Sequence, residues 1–212
     1  MSVRGMEPRD KTELSDAAAR AGRQARLAAP HAAPLVPFVE RLRARHPGRI
    51  VPWFDPADGG AEARVLYLLE KPSRGSAVLT DGPAFISMDN PTSGARRMKA
   101  LMAEAGVDRR RVLIWNAVPW WNGRVPVTAA ELADGTEALG ELLALLPDLR
   151  SVCLVGRKAE AVWARAQAAG PGIAVPVFVS AHYSANVRAA FPDRWAAIPG
   201  IWAEAHRAAL GA

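Results

Sequence analysis

Val65–Leu69 (VLYLL) runs straight into Glu70-Lys71-Pro72-Ser73, so a continuous apolar stretch ends abruptly in charge and proline. An unbroken apolar run fits a strand covered on both faces, because a half-buried strand would alternate. Three further runs share this form: Val112–Val118 (VLIWNAV), Ser151–Val155 (SVCLV) closed by Gly156, and Val175–Ser180 (VPVFVS). Helical patterns lie between them. Thr92–Ala105 carries Ala95, Met98, Leu101, Met102 and Ala105 at helical spacing. Thr128-Ala129-Ala130-Glu131 has the form of a capping box opening a helix to Leu146, and Lys158–Ala169 turns Ala159, Val162, Trp163 and Ala166 inward. Strands alternating with helices predict right-handed crossovers and a parallel sheet. The expected fold class is α/β, a three-layer α/β/α sandwich around a four-stranded parallel sheet.

Outward from this core the patterns are simpler. Residues 1–30 are polar, alanine-rich and charged, and read as an N-terminal helical extension or tail; residues 31–212 read as a single α/β/α domain. Pro34 to His46 places Leu35, Phe38, Val39 and Leu42 on one helical stripe. Pro47 to Glu62 is rich in proline, glycine and aspartate and reads as a loop, with Trp53 and Phe54 suggesting that it packs on the body. A helix broken at Pro199-Gly200 closes the chain.

The chain has 212 residues, 50% hydrophobic and 23% charged, a size suited to one domain. No stretch approaches the roughly 20 apolar residues of a membrane helix, and the first residues lack the apolar centre of a secretory signal. A cytoplasmic protein with no membrane partner, acting as a monomer, is expected. The net charge of +6 makes a polyanion the first partner to test. Arginine outnumbers lysine 23 to 4, however, and codon bias alone can produce such a surplus.

Ligands of open parallel sheets bind beyond the carboxyl ends of the strands. Those ends read Glu70 to Gly75, Asn116 to Asn122, Gly156-Arg157-Lys158 and Ala181 to Asn186. They offer a carboxylate, an amide, an imidazole, guanidiniums and indoles. Neither a dinucleotide fingerprint nor a Walker loop, a zincin helix or a nucleophile elbow is present. The single cysteine, Cys153, excludes an all-cysteine metal site and lies mid-strand, where burial is expected rather than catalysis.

These segments resemble the uracil-DNA glycosylase superfamily, nearest to the branch whose first motif reads G-E-A-P-G. Here that motif is Leu69-Glu70-Lys71-Pro72-Ser73. Gly82 to Pro119 is similar to the family stretch that runs from G-x-P-F-V-G through a helix to a strand ending in T-N-x-V. His182-Tyr183-Ser184-Ala185-Asn186 stands where relatives carry H-P-S-P-x-N. The resemblance covers about Ile50 to Arg188. Lys71 and Ser73 replace small residues, Tyr183 and Ala185 replace prolines, and the cysteines that hold an iron–sulfur cluster in part of the superfamily are absent.

The resemblance implies a glycosylase fold and base excision from uracil-containing DNA, single- or double-stranded, without a cofactor or metal. Cleaving the bond to uracil builds positive charge on the sugar and negative charge on the base, which calls for an anion or activated water on one side and donors on the other. Glu70 is the expected water-positioning carboxylate; its bland alternative is an acid paired with Lys71, Arg74 or Arg97. His182 is expected to donate to the uracil oxygen. Asn116 can offer both acceptor and donor to the uracil edge, or cap a loop. Phe85 resembles the phenylalanine on which the extruded base stacks, with core packing as its alternative. Pro72 and Ser73 join the expected substrate-binding set. Arg74, Ser76, Arg157, Lys158, Ser184, Asn186, Val187 and Arg188 form the expected DNA-binding set, with Arg96 and Arg97 in neighbouring loops. Asn186-Val187-Arg188 occupies the place of the loop that wedges into the duplex in relatives, and Val187 is a small wedge. Trp120 and Trp121 are candidates for base stacking, for pocket wall or for anchoring a long loop. The rival reading is a non-catalytic DNA- or nucleotide-binding member whose pocket is narrowed by Lys71 and Tyr183.

Overall fold

The four apolar runs form one parallel sheet. The computed structural model describes residues 14–78, 82–170 and 172–211. Its strands are β1 (Trp53–Phe54), β2 (Val65–Leu69), β3 (Phe85–Ile86), β4 (Val112–Asn116), β5 (Ser151–Val155) and β6 (Val177–Ser180). The main sheet has the order β4-β2-β5-β6, and β1 pairs with β3 in a small parallel ribbon that sequence patterning did not suggest. Every residue of β2, β4 and β5 is buried, as continuous apolar runs require. Strand β6, at the edge, leaves Val177 and Val179 exposed.

The α-helices are α1 (Ala17–Ala25), α2 (Val36–Arg45), α3 (Arg74–Ala77), α4 (Ser93–Glu104), α5 (Ala129–Leu143), α6 (Arg157–Ala169), α7 (Ala185–Ala190), α8 (Pro192–Ala196) and α9 (Ile198–Leu210). Helices α4 and α9 pack together on one side of the sheet; α2, α5 and α6 pack on the other. This is the expected three-layer sandwich. Three hydrogen bonds stitch α9 to the strands: Tyr67 Oη donates to the Trp202 carbonyl (3.2 Å), Ser151 Oγ to that of Ala205 (2.7 Å), and Trp202 Nε1 to Ser180 Oγ (3.0 Å).

Local chemistry explains the boundaries. Thr92 accepts from the Ala95 N–H (3.1 Å) and starts α4. Thr128 and Glu131 form the expected capping box at α5, which ends at Leu143 rather than Leu146. The closing helix is broken elsewhere than expected. Pro199 falls in the first turn of α9, where its missing N–H costs nothing, and the chain instead turns at Phe191 and Ala197.

Of the expected N-terminal extension, residues 1–13 lie outside the described residues. Leu14 and Leu27 are buried in the core. Arg23, on α1, pairs with Asp55 (2.6 Å) and Asp89 (3.1 Å), and Arg109 adds bonds to Asp55, Asp58 and Asp89. Burial, with Asp55 beside it, pushes Asp58 well above the usual carboxylate range. Ser87 donates to Asp55, and Asn90 Nδ2 donates to the Phe85 carbonyl (2.7 Å). The ionic network therefore fixes the segment 85–90, part of which lines the site.

Candidate active site

Parallel register brings the strand ends together: Leu69 lies opposite Asn116, and Val155 opposite Ser180. Glu70 follows β2 directly. Its carbonyl accepts from the Val118 N–H (2.9 Å), tying the loop after β4 to its side. Its Oε1 accepts from the Lys158 N–H (3.1 Å) in the first turn of α6, where the positive end of a helix suits an anion. Among the described residues Glu70 has no ion-pair partner. The cations named as its rivals are engaged elsewhere or exposed: Lys71 pairs with Glu131 (2.7 Å), Arg97 donates to the Tyr183 carbonyl (3.1 Å), and Arg74 faces solvent.

Gly156 makes room for this carboxylate. Its φ is 95°, and a Cβ there would lie 2.7 Å from Glu70 Oε1. Gly156→Ala is expected to strain the backbone and displace the carboxylate, lowering the turnover of the reaction proposed below on the order of 100-fold, the cost of a misplaced group. Rates at substrate saturation check this, with a thermal melt to separate misfolding; an unchanged rate would mean that the position of Glu70 does not matter.

His182 lies two residues beyond β6. Its ring stacks on Tyr183 with centroids 4.9 Å apart and planes 11° from parallel. Tyr183 in turn sets its ring against Trp202 at 6.2 Å and 81°. Burial pushes the Tyr183 hydroxyl up to about 12. Burial also lowers the pKa of His182 below the ordinary 6.5; Arg97 adds to that effect and Glu70 opposes it. The ring is therefore neutral at physiological pH and offers one N–H. Because the folded chain binds this proton more weakly than the unfolded one, the stability contribution of His182 falls as pH drops below 6.5. An NMR titration is expected to place its midpoint below 6.5, and Arg97→Gln to move it upward by removing a repelling charge. A midpoint above 6.5 would put the charge of Glu70, not burial, in control.

Two adjoining cavities share His182 and Ser184. The smaller, about 300 Å³, is lined by Pro72, Ser73, Ser76, Arg97, Asn116 and Tyr183 among others. Asn116 is buried there, and its Oδ1 has no hydrogen-bond partner among the described residues. The larger, about 780 Å³, is lined by Glu70, Gly156, Arg157, Asn186 and Val187 among others. Asn116 and Glu70 thus face different chambers that meet at His182.

The bulk at Lys71 and Tyr183 leaves the smaller cavity open. The Lys71 ammonium is drawn away to Glu131 and to Asn122 Oδ1 (2.9 Å), and both members of the ion pair are at least 95% buried. Glu131 thereby joins the capping of α5 to the floor of the site. Burial alone would raise its pKa, but the bonds from Lys71 and Thr128 outweigh this and leave it below the usual carboxylate value.

Other expected residues sit differently. Phe85 is fully buried and lines neither cavity; its neighbours Ile86 and Ser87 line the smaller one. Arg74, Arg96, Lys158 and Arg188 lie outside both linings, and Arg188 rests over Trp195 at 5.6 Å. Ser184 caps α7, accepting from the Val187 N–H (3.3 Å). The indoles expected at the strand ends are buried, Trp120 fully and Trp121 to 7% exposure. His46 and Arg49 pack on Trp120 at 4.4 and 4.7 Å, while Trp121 and Ile50 exchange backbone bonds of 2.8 Å. Of the roles weighed for them, they anchor the loop. Cys153 is buried as expected, its thiol pushed up to about 12 by burial.

Sequence reading missed three supports of the site: Gly156 as the space for Glu70, Arg97 as the holder of the Tyr183 carbonyl, and Glu131 as the partner of Lys71. Only the first left a local trace, a glycine between an apolar strand and a helix. No group of three or more histidine, cysteine, aspartate or glutamate side chains among the described residues is arranged to hold a metal ion. No helix among them is long and apolar enough to cross a membrane.

A four-stranded parallel sheet flanked by helices on both faces agrees with the comparison of whole sequences. The model of the uracil DNA glycosylase superfamily matches residues 56–205, and the chain belongs to that superfamily. No curated relative matches it.

Proposed function

We propose that this superfamily member is a DNA repair glycosylase that hydrolyses the N-glycosidic bond of uracil, or of a related deaminated base, after base flipping. The observation that carries the reading is the unpartnered Oδ1 of Asn116, buried in a cavity that meets the chamber of Glu70 at His182. An amide desolvated without a partner is costly, and a base edge would supply the missing bond. The extruded base enters the smaller cavity and the sugar lies toward Glu70. As the bond from C1′ to the base breaks, its electron pair passes to the base. His182 donates its N–H to the uracil oxygen that gains the charge. Glu70 orients water on the other face, stabilises the oxocarbenium-like sugar and takes the water proton as oxygen bonds to C1′. The products are free uracil and an abasic site. The reading places the protein in the cytoplasm, acting on DNA as a monomer.

Two substitutions in this pocket separate base reading from chemistry. Asn116→Asp can accept from the cytosine amino group but cannot donate to the uracil carbonyl, so uracil excision falls and residual activity shifts toward cytosine. His182→Ala lowers the rate on every accepted base in the same proportion, because its donor meets a charge common to all of them. Rates over a panel of bases distinguish the two. Parallel losses that merely track thermal stability would contradict the assignment of this pocket.

A further inference from the structure

Phe191 is the exposed aromatic side chain of the described residues, at 52% of its surface. A lone exposed apolar residue would need no explanation. Phe191, however, lines the larger cavity, the chamber that holds Glu70 and His182, and exposed Val125 and Val179 line it too. Its position is fixed: its N–H donates to the Val187 carbonyl (2.8 Å), Pro192 starts α8 directly after it, and the Arg194 guanidinium lies over the ring at 5.3 Å. The tryptophans that the sequence offered for stacking are buried, so the aromatic surface at this mouth is that of Phe191.

We infer that Phe191 is a stacking platform for an unpaired nucleobase next to the extruded one, and that the DNA seated here is single-stranded. The inference rests on the glycosylase reading and adds the strand preference to it. In a duplex the base beside the gap stays paired and stacked on its other neighbour and cannot swing out to a ring at the mouth, whereas in a single strand an unpaired base can turn a face to an aromatic ring. Arg157 and Arg194 line the cavity as partners for phosphates, and of the two carboxylates in the same lining Glu70 is the one read as facing the sugar, which leaves Glu160 as the other opposing charge. Val187, half-buried on α7, is too small to fill the gap that a base leaves in a duplex.

The test is fluorescence anisotropy with a short oligonucleotide carrying a tetrahydrofuran abasic analogue, offered single-stranded and as a duplex. Phe191→Ala is expected to weaken single-strand binding on the order of 10-fold and duplex binding little, and Phe191→Tyr to restore the single-strand affinity. The thermal midpoint should stay put, since the side chain is exposed. Equal losses on both probes, or no loss on either, would overturn the inference; if the unaltered protein still released uracil, the glycosylase reading would stand. Failure of the unaltered protein to bind either probe and to release uracil would overturn both.

Discussion

Glu70→Gln lowers the single-turnover rate on uracil-containing DNA on the order of 100-fold or more and leaves DNA affinity nearly unchanged. Glutamine keeps the shape, and its amide oxygen still accepts the Lys158 N–H that now holds Oε1 at 3.1 Å. In the proposed mechanism, what disappears is the negative charge facing the sugar as it becomes cationic, and with it the base for the attacking water. The ground state makes little use of that charge, so the loss falls on the rate and not on binding. Rapid-quench rates and equilibrium binding, measured on one oligonucleotide, separate these terms. An unchanged rate would reduce Glu70 to a structural acceptor for the first turn of α6.

Lys71→Met destabilises the fold by about 3 kcal/mol, which at this chain length lowers the thermal midpoint by roughly 6–12 °C. The Lys71 and Glu131 side chains are only 5% and 4% exposed, and the variant leaves the Glu131 carboxylate buried without its cation. Thr128 and Asn122 still donate to it, which places the cost at the low end for a broken buried pair. The loss shrinks as pH falls through the Glu131 titration, because protonation removes the stranded charge. Adding Glu131→Gln should recover most of it. Denaturant unfolding of both variants checks this; a Lys71→Met protein as stable as the parent would mean that water reaches the pair despite its burial.

Apolar runs made the sheet legible. A strand covered on both faces must be continuous in sequence, so β2 and β5 are legible residue by residue, while the apolar run of β4 continues through buried Ala117 and Val118 two residues past the strand's end at Asn116. Edge strand β6, with two exposed valines, was placed two residues early because exposure blurs the same signal. Helix starts were readable where a side chain caps its own helix, as Thr92 and Thr128 do. Contacts between distant segments were not. That the capping glutamate of α5 would also hold Lys71, 60 residues earlier, follows from packing and not from any local pattern. Glu70, Asn116 and His182 are legible as candidates because an open parallel sheet binds ligands beyond its strand ends, and all three lie at or just past those ends. Trp120 and Trp121 lie at such an end, yet composition does not say which way an indole turns.

The most direct test of the account is to incubate the purified protein with single- and double-stranded oligonucleotides carrying one deoxyuridine, and to measure free uracil by mass spectrometry and strand breaks after alkali. The account predicts uracil in the filtrate and, in equal amount, alkali-labile sites at the deoxyuridine position, both lost in Glu70→Gln. Intact oligonucleotide with no free uracil, from a folded protein that still binds the DNA, would contradict it and leave the non-catalytic binder in its place.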